Sequence, residues 1–117
     1  MSFLSRLFGE DDRDDDDVRL IDRLAAAGVD LSRPLDVEHV LSMPDERSAR
    51  QVVAALANTG GTVQLSPDLL GRRWNVRVTI PMVITLERMV ALREQLDALA
   101  GERRGRYAGW GTSGRQP

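Results

Sequence analysis

The chain has 117 residues and no cysteine. It can therefore form no disulfide framework, no thiolate zinc site and no cysteine nucleophile. It has one histidine, His39. A Ser-His-Asp triad would have to be built on that residue, and no serine stands in a nucleophile-elbow context around it. Lysine is missing too: all 16 basic residues are arginine, whose planar fork suits carboxylate and phosphate partners. No apolar run approaches the roughly 18 residues of a membrane span. Met1–Phe8 is too short for a secretory leader and runs into acids rather than a cleavage site. These absences predict a cytoplasmic protein.

Charge is divided along the chain. Residues 1–46 hold 13 acids and 5 arginines, and residues 47–117 hold 5 acids and 11 arginines. The acids crowd into Glu10–Asp17, EDDRDDDD. Like charges at this density repel and stay solvated, so residues 1–17 are expected to be a disordered acidic tail, with Met1–Gly9 a frayed terminus. The run lacks the alternating ligands and central glycine of a calcium loop.

The rest reads as one α+β domain over residues 18–113, with 114–117 frayed. A short helix is predicted over Val18–Ala27, with Val18, Ile21, Leu24 and Ala25 on one face and Gly28 as its stop. Val37–Met43 alternates as a strand, with Val37, His39, Leu41 and Met43 pointing one way. A helix begins at Pro44–Asp45 and carries the stripe Ala49, Val52, Val53, Leu56 and Ala57 until Asn58–Gly61 ends it. Thr62–Leu65 is a short strand and Ser66–Gly71 a turn. Arg73–Ile80 is the clearest strand: Trp74, Val76, Val78 and Ile80 face the core, Arg73, Asn75, Arg77 and Thr79 face away, and Pro81 breaks it. Thr85 caps a long helix over 86–101, striped by Leu86, Met89, Leu92, Leu96 and Leu99. Its acids, with Arg93 nearby, read as a solvated face. Arg106–Thr112 closes the domain as a strand. The order β-α-β-β-α-β predicts a ferredoxin-like sandwich, a four-stranded antiparallel sheet with two helices on one face, preceded by the short helix.

No chemistry-bearing motif stands out. The glycines Gly60-Gly61 and Gly109-Trp110-Gly111 do not open a helix after a strand, so phosphate-binding fingerprints are absent. His39 shares a strand face with Val37 and Leu41 and reads as a packed histidine. No catalytic, metal-binding or cofactor-binding residue is assigned, and the chain is not expected to be an enzyme. The candidate partner-binding residues are Arg73, Arg77, Arg106, Tyr107 and Trp110, because arginine and aromatics dominate binding hot spots. The same residues support an RNA-binding alternative, in which bases stack on aromatics beside a basic strand. A third reading is a homo-oligomerising structural domain.

Three stretches carry a family resemblance: Val37-Glu38-His39-Val40-Leu41, the strand–proline–helix passage Val76 to Leu99, and Tyr107-Ala108-Gly109-Trp110-Gly111-Thr112. From Ile21 to Thr112 the chain resembles the ribonuclease E inhibitor protein B (RraB) family, whose closing motif is Tyr-Asp-Gly-Trp-Gly-Thr. The resemblance implies a ferredoxin-like fold and a cofactor-free bacterial regulator. Such a protein binds the endoribonuclease of the RNA degradosome and restrains its action on transcripts. The chain departs from the family in its net-positive domain, in Ala108 at the acidic position of the closing motif, and in its Met1–Gly9 extension.

Overall fold

The computed structural model describes residues 15–114. Helix α1 covers residues 15–26. It is followed by β1 (Leu35–Met43), α2 (Glu46–Ala55), β2 (Thr62–Pro67), β3 (Trp74–Met82), α3 (Leu86–Gly101) and β4 (Arg106–Thr112). The strands form one sheet in the order β2-β3-β1-β4, with every neighbouring pair antiparallel. This is the expected α+β sandwich. None of the described helices is long and apolar enough to cross a membrane.

Local chemistry accounts for the helix starts. The Asp45 side chain accepts the Ser48 backbone N–H at 2.7 Å, and Thr85 accepts that of Arg88 at 3.2 Å. Each cap satisfies an N–H that a helix start leaves orphaned. The helices cover one face of the sheet. Leu41, Met43, Val76 and Val78 pack there against Ala49, Val52 and Leu56 of the α2 region and Leu96 and Ala100 of α3. A second cluster joins Leu35, Val37, Ile84 and Met89, with Ile21 and Leu24 of α1 laid over it. The opposite sheet face carries the polar members of the alternation, among them Glu38, Arg77, Thr79 and Gln64, and no described helix covers it.

The structure carries β2 through Ser66 to Pro67, which pair with Asn75 and Trp74, instead of turning after Leu65, and it corrects the expected elements in four further places. First, α1 begins at residue 15 rather than Val18, so the last three acids of the run form its first turn, where the helix dipole favours negative charge. Residues 1–14 of the expected tail, with Met1–Gly9, lie outside the described residues, as do 115–117. Second, α2 ends at Ala55, and Ala57 falls off the buried stripe into solvent. Third, Pro81 does not end β3, which continues to Met82 and pairs Pro81 with Asp36. The β2 ladder stops at the Thr62–Thr79 pair, so β3 is locally an edge strand where proline is tolerated. Fourth, Arg93 is not on a solvated face of α3: it is buried together with Met89, Leu96 and Ala100, while Leu86 is exposed.

Candidate functional site

The closing strand β4, paired with β1, carries two of the candidate residues, Tyr107 and Trp110. Tyr107 and Trp110 are three residues apart, and a regular strand would send them to opposite faces. The register with β1 shows why both point inward. Leu41 faces Tyr107, Val40 faces Gly109 and His39 faces Trp110, so Ala108 is the extra residue of a bulge. Gly109 sits at φ +146°, a conformation that side-chain-bearing residues rarely adopt. The glycine lets the strand absorb the extra residue, and the bulge resets the alternation.

Each aromatic then finds a polar partner under the helices. The Tyr107 hydroxyl lies 3.0 Å from His39 Nδ1, and the Tyr107 backbone N–H donates to Asp97 Oδ1 at 2.9 Å. The Trp110 indole Nε1–H donates to Asp17 Oδ1 at 2.9 Å. The other Asp17 oxygen accepts from Arg93 at 2.6 Å. Asp17 and Arg93 are only 5% and 7% exposed. A single buried carboxylate thus ties α1 to both α3 and β4, and satisfies charged and neutral donors together, as a buried charge requires.

His39 is fully buried, and burial lowers its pKa from 6.5 to about 4. Its Nε2 has no hydrogen-bond partner among the described residues. An imidazolium would place a donor there with nothing to accept it, so the ring stays neutral. No group of three or more potential metal ligands occurs among the described residues.

Three arginines, Arg73, Arg77 and Arg106, lie on the other side of the sheet. Arg77 donates to Glu38 at 3.0 Å, with both side chains a little over 40% exposed. Arg73 is braced against Ser42, with Nε 2.6 Å from its Oγ and a terminal nitrogen 3.0 Å from its carbonyl oxygen. Arg106 lies opposite the same Ser42 from the β4 side and is exposed. Three of the five sequence-predicted residues therefore share the open face around Ser42 and Glu38. Tyr107 and Trp110 do not join them: Tyr107 is buried and Trp110 half-buried on the helix side. The described aromatics are Trp74, Tyr107 and Trp110, and all three pack on the core side.

Sequence reasoning missed Asp17 and Arg93. The signal was present: Arg93 stands four residues after Met89 and three before Leu96, and Asp17 stands four before Ile21 and seven before Leu24. A reading by charge places both in solvent, whereas their positions on the apolar stripes place them inside.

Compared with known families, residues 14–112 match the family described as regulator of ribonuclease activity B. The match begins one residue before α1, so it includes the helix start that Asp17 fastens. Comparison with curated proteins finds no match.

Proposed function

The chain belongs to the regulator of ribonuclease activity B (RraB) family, and from that premise we propose that it is a non-enzymatic, cofactor-free regulator that acts in the bacterial cytoplasm. It binds a ribonuclease E-type endoribonuclease through protein–protein contact and lowers its activity. The open sheet face is the contact surface, with Arg73, Arg77 and Arg106 as its charged members. Tyr107 and Trp110 contribute from beneath by holding β4 and α1 in place.

One observation carries the choice of a protein partner over RNA. The arginines share a face on which, among the described residues, there is no aromatic side chain. Single-stranded RNA recognition draws on base–aromatic stacking, and that face offers no platform for it. Arginine forks bind carboxylates well, and Arg77 already holds one, that of Glu38.

The test is an affinity capture from the native cell with the full chain and with an Arg77→Gln, Arg106→Gln double variant. Arg73 is left intact because it braces Ser42. The full chain should retain a ribonuclease, and the double variant should bind it about tenfold more weakly or worse. Thermal stability should be unchanged. Undiminished ribonuclease binding by the variant would refute the assignment of the face. Recovery of RNA alone, lost as salt rises, would favour the RNA-binding alternative.

A further inference from the structure

The sheet has two edge strands, β4 and β2. They are treated very differently. The β4 edge carries the Ala108 bulge and begins with the exposed Arg106. Bulges and edge charges are the devices by which sheets discourage further strand pairing. The β2 edge has neither. Thr62–Pro67 pairs with β3 through six consecutive residues without a register shift, and none of the six is charged. Pro67 guards only its last position. No described strand pairs with its outer side.

The pattern on β2 is also self-complementary. In a twofold antiparallel pairing centred on Gln64, Val63 faces the partner's Leu65, and Thr62 faces the partner's Ser66. Apolar side chains meet on the helix side and polar ones on the open side. A one-residue slip would set Leu65 against Gln64, so the alternation itself selects the register. A twofold contact places groups near their own copies, and an uncharged strand avoids the like-charge cost this brings. Val63 and Leu65 are half-buried against the main core, so the pairing would continue that core across the axis.

A second observation lies at the end of the same edge. Leu69 and Leu70, at the tip of the β2–β3 hairpin, are 104% and 75% exposed, the most exposed large apolar side chains among the described residues. The tip is held in shape: Asp68 accepts the Arg72 N–H at 3.0 Å and donates its own N–H to the Arg73 carbonyl at 2.9 Å. In the Gln64-centred register each tip runs on toward the partner's α2–β2 turn, which gives the two leucines a surface to cover.

We propose that the β2 edge joins two copies of this chain into a twofold dimer with a continuous eight-stranded sheet centred on Gln64. The test uses the full chain and reads molecular mass by light scattering over a concentration series. The wild type should reach twice the chain mass. Gln64→Lys and Gln64→Glu each set like charges against themselves at the axis, and each should remain monomeric with an unchanged circular dichroism spectrum. Mixing the two variants should restore the dimer. A wild type that stays at the chain mass at every concentration overturns the proposal. So does a dimer that persists in both charged variants, or a mixture that fails to pair. Neither mass nor circular dichroism involves the ribonuclease, so the result is independent of ribonuclease binding.

Discussion

His39 shows how a single residue can make the whole domain sensitive to acid. Its folded pKa, about 4, lies below the ordinary 6.5 because the ring is buried. Between those values the unfolded chain takes up a proton that the folded chain refuses. Stability is therefore fully present above pH 6.5 and declines as pH falls toward 4, by an amount of order 3 kcal/mol at most. Urea melts across this range should show the decline, and His39→Phe should flatten it. Asp30 and Asp45 have carboxyl pKa values lowered chiefly by hydrogen bonds from Ser32 and Ser48. Their contributions are lost only below pH 3.8, so the two windows separate. Trp110 provides a second test at this scale. Trp110→Phe keeps a ring but removes the N–H that binds Asp17, and should cost roughly 1.5–3 kcal/mol, the range for hydrogen bonds to charged groups. Hydrogen exchange should quicken first in α1, the element that Asp17 fastens.

Among the elements, β4 and the turn before it are the least forgiving. Gly105 sits where a Cβ would overlap Met43 Sδ and come within 2.8 Å of the Ser42 carbonyl oxygen. The backbone oxygen cannot move aside without shifting β1. Gly105→Ala should therefore destabilise by about 1–3 kcal/mol in chemical denaturation, as overpacking does. Gly101, four residues earlier at the end of α3, has nothing within 4 Å of where a methyl group would stand, and its φ is ordinary. Gly101→Ala should be neutral or stabilise by up to about 1 kcal/mol. The contrast separates a glycine needed for close approach from one that merely sits in a helix.

For the molecule as a whole, the two sheet faces divide the labour. The helix side holds the core and the buried Asp17–Arg93–Trp110 connection, while the open side holds the arginines proposed to meet the ribonuclease. Substitutions on the two sides should therefore separate cleanly. Arg77→Gln with Arg106→Gln should change binding without changing stability. Asp17→Ala should lower stability, by roughly 3–5 kcal/mol, the cost of breaking a buried ion pair. Paired melting and capture experiments on the two variants check this division.

Much of this was legible in the residues. The period-two alternation of β1 and β3, the helix start at Pro44–Asp45, the cap at Thr85 and the order of elements led to the correct sandwich, and the closing motif led to the correct family. The bounds of α3 and β4 matched as well. These are local signals, carried by neighbours a few positions apart, so a linear reading can recover them. What only the tertiary structure decided depends on residues far apart in the chain. Asp17 meets Arg93 across 76 positions and Trp110 across 93. The bulge at Ala108 exists only in register with β1. That register turned Tyr107 and Trp110 inward, away from the open face that holds Arg73, Arg77 and Arg106, because a one-residue insertion against a partner strand reverses which side chains face the core.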